Sequence, residues 1–168
     1  MYLVVLLSFF LDGLLSIYQE LSIFGVIYFK PMFTIVSLVL IYPKYQKDIN
    51  NYLKICLVLG LCYDLFYTNM LFLNMLVFPL LGYIIHRVYL FLIDGLVNSL
   101  AINLIALVSY NFIIYFVLFL TGYLSFNVSL FLYNLLSILI TNTIYFIILY
   151  LLLMTDKNNF PKKKKYKF

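Results

Sequence analysis

Residues 95–155 read GLVNSLAINLIALVSYNFIIYFVLFLTGYLSFNVSLFLYNLLSILITNTIYFIILYLLLMT, 61 residues without an Asp, Glu, Lys, Arg or His. One helix of that length, at about 1.5 Å per residue, would reach about 90 Å, roughly three times the hydrocarbon core of a bilayer. The run must therefore turn back on itself. Gly, Ser and Asn cluster at Thr121-Gly122-Tyr123-Leu124-Ser125-Phe126-Asn127, which predicts a turn between helices at 96–120 and 128–153.

The rest of the chain follows the same logic. Hydrophobic residues make up 66% of the sequence and charged residues 10%, whereas a soluble domain carries about a quarter charged. So little charge would leave a surface insoluble in water, and lipid is the expected solvent. Further apolar stretches predict helices at 2–18, 31–42, 54–67 and 70–86. The first lacks a basic start and a small-residue cleavage site, so it is expected to stay as a span. Pro31 and Pro43 bracket the second, and PKYQKDINNYLK (43–54) is read as a polar loop. The second, third and fourth are short for full spans. The segment 86–95, HRVYLFLIDG, is expected to lie in the interface. The fold class is all-α, a polytopic bundle of six transmembrane helices over residues 1–155, followed by a polybasic tail, 156–168.

Charge sets the orientation. An even number of spans puts both termini on one side. Lys44, Lys47, Lys54, Arg87, Lys157, Lys162, Lys163, Lys164, Lys165 and Lys167 fall on that side, ten of the eleven cations. Only Lys30 falls opposite. The positive-inside rule then makes the terminal side cytoplasmic. Lys162 to Lys165 and Lys167 form a cluster that anionic lipid attracts by about 1 kcal/mol per cation. No folded nucleic-acid-binding motif accompanies them.

Ionisable groups inside spans need an interior position or a reason. Asp64 lies four residues after Gly60, on one helix face, where a neighbouring helix can approach closely. It is expected either to bond the amides at the start of the next helix or to act as a contact or switch. Asp12 is expected to face protein, with a salt bridge to Lys30 or ion coupling as further readings. Two stripes mark helix contacts or a ligand groove: Ser99, Asn103, Ala106 and Tyr110 on the fifth helix, and Asn134, Ser137, Thr141 and Tyr145 on the sixth. Cys56 and Cys62 are six apart and point to different faces, which argues against a disulfide or a metal pair. His86 has no second ligand nearby. No hydrolase, P-loop or dinucleotide motif is visible, and no cofactor or catalytic pair is expected.

The order of features resembles the MreD family of bacterial rod-shape-determining membrane proteins. Lys30-Pro31 opens the second helix and a basic loop follows it. Then come Gly60-x-x-Tyr63-Asp64-Leu65, Leu73-Asn74 and Gly82-Tyr83. The specific part covers residues 30–83, while span order and the basic tail agree over nearly the whole chain. Family members usually carry Gly two residues before the Asn; here that residue is Phe72. The resemblance implies a non-enzymatic protein of the bacterial cytoplasmic membrane. Its partners would be the single-span protein MreC and an elongation machinery of MreB filaments, RodA and a penicillin-binding protein, which build peptidoglycan. It implies a fold similar to the substrate-capture subunits of energy-coupling-factor transporters, and bundle-shaping roles for Gly60, Asp64, Asn74 and Gly82. The competing expectation is a capture subunit for a vitamin-like molecule, although short outer segments (19–30, 67–70, 121–127) weigh against it.

Overall fold

Leu, Ile and Phe dominate every apolar stretch, and in lipid a backbone must satisfy its own polar groups, so each stretch closes into a helix. The structure is a computed structural model and describes residues 2–16, 22–23, 27–28, 30–68, 70–92, 95–123 and 127–154. Among the described residues, six α-helices run in order: α1 (Tyr2–Ser16), α2 (Phe33–Ile41), α3 (Ile49–Tyr67), α4 (Leu73–Phe91), α5 (Leu96–Leu120) and α6 (Val128–Met154). Between α1 and α2 lies a minimal antiparallel ladder of two-residue strands, Ser22–Ile23 and Ile27–Tyr28. A 3-10 turn, Tyr42–Tyr45, prolongs α2.

Helices α3 to α6 are long and apolar enough to cross a membrane; α1 and α2 are shorter. Their outward faces are apolar. Phe91 is 85% exposed, Val97 75% and Leu76 72%, a surface suited to acyl chains. The chain is a multi-pass membrane protein built as a helical bundle.

Helix α2 has only nine residues, about 14 Å of rise, and all nine are buried. A helix apolar on every side belongs inside a bundle. It packs against α1, α5 and α6. Its ends are fixed by α1: Phe33 lies beside Asp12, and the Tyr45 hydroxyl after α2 donates to that of Tyr2. Helix α2 thus fills one half of the bundle's depth, antiparallel to α1.

The expected boundary after α5 is built as drawn. Gly122, with φ of +76°, ends the helix, its N–H bonding to Phe119 O and that of Tyr123 to Leu118 O. A left-handed Gly with these two bonds satisfies the last carbonyls of a helix. Two other boundaries need correction. Helix α3 begins at Ile49, inside the stretch read as a loop, so Lys54 is helical. Helix α4 continues through His86 and Arg87 to Phe91, so Gly82-Tyr83 lies mid-helix and most of the expected interfacial segment is helix. Polar residues mark where lipid ends, not where a helix ends. The Tyr42 hydroxyl bonds His86 Nδ1 at 2.6 Å, and Arg87 bends back to the Tyr83 hydroxyl at 2.5 and 2.8 Å. Lys44, Lys54 and Arg87 still lie at the end of the bundle that holds Tyr2 and Met154. Residues 124–126 of the last turn, Asp94 and the lysines from Lys157 to Lys167 fall outside the described residues.

Candidate functional site

The first backbone amides of a helix have no partner within it. In water this costs little; inside a bundle each such amide needs an acceptor. Two of the helix starts here receive a carboxylate from the preceding helix.

Asp64, in the last turn of α3, is 2% exposed. Its Oδ1 accepts from the Asn74 backbone N–H at 3.0 Å, the Asn74 side-chain amide at 2.8 Å and the Thr68 hydroxyl at 3.0 Å. Its Oδ2 accepts from the Met75 N–H at 2.9 Å. A negative charge at a helix N-terminus is favoured by the helix dipole as well as by the hydrogen bonds. Asn74 passes the connection on: its Oδ1 accepts from the buried Tyr110 hydroxyl of α5 at 2.9 Å. One chain of bonds therefore joins α3, α4 and α5.

Gly60 makes this approach possible. A Cβ there would stand 2.3 Å from the Asn74 carbonyl oxygen, backbone that cannot move aside. Gly82, one helix over, faces Cys56, Leu53 and Tyr52 of α3, where a Cβ would lie 2.9 Å from the Cys56 Sγ. The α3–α4 contact is the most extensive among the described residues. Phe72 precedes α4 with φ of +70°, a conformation suited to glycine, and its ring is exposed. It occupies the position at which the MreD resemblance leads to an expectation of Gly.

Asp12 does for α2 what Asp64 does for α4. It is also 2% exposed. Its Oδ1 accepts from the Phe33 N–H at 2.6 Å, and its Oδ2 from the Thr34 N–H at 2.8 Å and the Thr34 hydroxyl at 2.6 Å. Lys30 turns elsewhere: its Nζ donates to Asn134 Oδ1 of α6 at 2.6 Å, so its partner is not Asp12. Burial pulls the Lys30 ammonium below its ordinary pKa. Pro31 is buried beside it. Asn142 of α6 completes the entry to α2, accepting from the Met32 N–H at 2.7 Å and donating to the Lys30 carbonyl at 3.0 Å. The two clamps sit at one level of the bundle. Tyr67, one turn past Asp64, donates to the Phe9 carbonyl, one turn before Asp12, and its ring covers Gly13.

The small and polar stripes point inward. Asn103, Ala106 and Tyr110 of α5 are buried, as are Ser137 and Thr141 of α6. Tyr145 stacks on Phe33 with ring centroids 3.8 Å apart and shares a hydrogen bond with Ser8 at 2.8 Å. Both amide atoms of Asn103 and the Thr141 hydroxyl are buried without a protein partner. Cys56 is buried and Cys62 half-buried, and both are free.

Sequence reasoning missed Asn142, Tyr67 and Ser8. Asn142 had a signal, eight residues from Asn134 on nearly the same helix face. Tyr67 and Ser8 had none, because each acts on an element that is remote in sequence. Chemically, the arrangement joins helices: each carboxylate already accepts three or four hydrogen bonds.

A family model described as rod shape-determining protein MreD matches residues 1–155. No curated protein and no solved structure matches the chain significantly.

Proposed function

This chain belongs to the MreD family of rod shape-determining proteins, and from that premise we propose that it acts without catalysis, as an integral scaffold of the bacterial cell-elongation machinery. In this reading it sits in the cytoplasmic membrane with both termini in the cytoplasm. It binds an MreC-like single-span protein and works beside MreB filaments, RodA and a penicillin-binding protein to support peptidoglycan synthesis. The family match over residues 1–155 carries the reading. The saturated carboxylates support it, since Asp12 and Asp64 are committed to holding helix starts and offer no free acid or base. Asp12, Lys30, Pro31, Gly60, Asp64, Asn74 and Gly82 then shape the surface a partner meets, rather than meeting substrate. The tail lysines Lys162, Lys163, Lys164, Lys165 and Lys167 hold the C-terminal segment 156–168 against anionic lipid.

Depletion of the protein tests this directly. Rod-shaped cells should round up, and mild-detergent purification should recover a single-span partner with a coiled-coil outer domain. Unchanged cell shape and wall insertion on depletion would sink the proposal.

One observation favours a second reading. Asn103 and Thr141 carry buried polar atoms without protein partners, as a capture subunit for a vitamin-like molecule would need. That reading predicts ligand-dependent thermal stabilisation of the purified protein and co-purification with an ATPase module.

A further inference from the structure

The backbones of α1 and α3 come close at few positions, and beyond the Phe9–Tyr67 contact a groove of about 340 Å³ opens between the two helices. It takes no part in either clamp. Val5 and Leu6 form one wall, Val58 and Leu59 the other, and Tyr2 and Lys54 stand at the mouth, toward the end of the bundle that holds Tyr2 and Met154. The lining is wholly apolar, so Lys54 contributes its methylene stem while its exposed head is left for an anion. The mouth is built. Tyr45 donates to the Tyr2 hydroxyl, and the Lys44 ammonium lies 5.9 Å from the centre of the Tyr2 ring. A second cation thus stands beside the first wall.

The dimensions select the occupant. The volume falls in the range of roughly 300–1,000 Å³ that holds one small ligand. The walls run from residue 2 to 6 and from 54 to 59, about 8 Å along the helix axes. A partner helix, about 10–12 Å across, needs a trough along most of the bundle. An acyl chain needs only a slot that opens to the bilayer. Cations at the headgroup end and hydrocarbon beneath match an anionic amphiphile in charge and in polarity.

We propose that this groove binds one anionic phospholipid of the leaflet on the side of Tyr2 and Met154, an acyl chain between α1 and α3 and its phosphate on Lys54, with Lys44 beside it. The proposal stands on the membrane-spanning fold alone and is independent of the shape-determining role.

The chain contains no tryptophan, which makes the test clean. Leu6→Trp places a single reporter in the groove wall, and Leu151→Trp places one on the exposed face of α6 near the same end of the bundle. The full-length variants are reconstituted in vesicles of phosphatidylcholine mixed with brominated phosphatidylglycerol or brominated phosphatidylcholine. At position 6 the brominated phosphatidylglycerol should win by about fivefold in relative binding, the weight of one cation near the surface. At position 151 the ratio should be near one. Adding Lys54→Glu to Leu6→Trp should collapse the preference, whereas Lys47→Glu, the same charge change outside the groove, should leave it. Should Leu6→Trp fold poorly, Val58→Trp reads the opposite wall. Equal quenching by the two lipids at position 6 would overturn the proposal, as would a preference that survives Lys54→Glu or disappears with Lys47→Glu. Protection of the reporter from both lipids by a co-purifying single-span protein would also overturn it, in favour of a partner helix.

Discussion

Asp12 and Asp64 perform one task in two settings. Asp64 caps a helix that follows it closely: its backbone partners, Asn74 and Met75, lie ten and eleven residues on. Asp12 caps a helix whose first amides lie twenty-one and twenty-two residues on. The α4 start has two side-chain partners for its carboxylate, Asn74 and Thr68, where Asp12 has one, Thr34, and it begins a helix with a lipid-exposed face. The α2 start belongs to a helix buried on all sides. The Asp64 clamp closes a hairpin that is held elsewhere by a long interhelical contact. The Asp12 clamp fixes an element that neither lipid nor water can solvate.

The comparison predicts its own largest effect. Asp12→Ala leaves two buried amides and a hydroxyl without acceptors, at about 2 kcal/mol per amide. Thermal unfolding in mild detergent should show a loss of about 4 kcal/mol. Asp64→Ala strands two backbone amides, along with the Asn74 side-chain amide and the Thr68 hydroxyl, both of which can turn to other partners at a more open helix end, and should cost about half as much in the same assay. Equal losses would remove the distinction between the two clamps.

Next in size is the close approach that serves Asp64. Gly60→Ala drives a Cβ into the Asn74 backbone, and overpacking of this kind costs about 3 kcal/mol. Gly82→Ala meets side chains that can shift, and should cost about 1 kcal/mol. A urea or thermal series on the two variants checks the order; a milder Gly60 variant would mean that α3 and α4 can separate without strain. Smaller still, Tyr110→Phe removes the α5 end of the Asp64–Asn74 chain. It should cost about 1 kcal/mol and leave an Asp12→Ala background additive. A double-mutant cycle gives the answer, and coupling between Tyr110 and Asp12 would show that the two clamps act as one network.

The smallest effect has the opposite sign. Phe72→Gly relieves a left-handed backbone worth about 1–2 kcal/mol and adds chain entropy to the unfolded state, worth about 0.5–1 kcal/mol. A net gain of about 0.5 kcal/mol should raise the melting temperature slightly. A loss would mean that the exposed Phe72 ring is used in packing against lipid or a partner.

The two clamps also differ in how far the sequence announced them. Gly60 and Asp64 share a helix face, so spacing paired them, and the MreD resemblance added Asn74 at the start of the next helix. Asp12 carried no such pattern. Its partners are backbone amides, which have no residue signature, and they lie beyond a segment without periodicity. Lys30 was the nearest opposite charge and drew the expectation of an ion pair, but Asn134 takes it, 104 residues away. The uncharged run 95–155 yielded α5 and α6 almost to the residue, because there the turn chemistry coincides with the end of the apolar pattern. At α3 and α4 the two part company. Asn50, Asn51 and Lys54 are polar but helical, as are His86 and Arg87, and hydropathy reports the solvent of a residue rather than its backbone. The burial of α2 had a trace in its short length, which fits a helix that does not face lipid.

That burial constrains how the protein is made. A nine-residue apolar helix is too short to be accepted into a bilayer by itself, and α2 leaves the ribosome long before two of its three packing neighbours exist. Helix α1 can receive it at once through Asp12. The walls from α5 and α6, with Asn142 over its entry, arrive only with the second half of the chain. Until then α2 must wait as a half-covered strut, and the C-terminal hairpin is the closing step of assembly. A nascent chain stalled after Phe91 would hold the α3–α4 contact but leave α2 without its α5 and α6 walls.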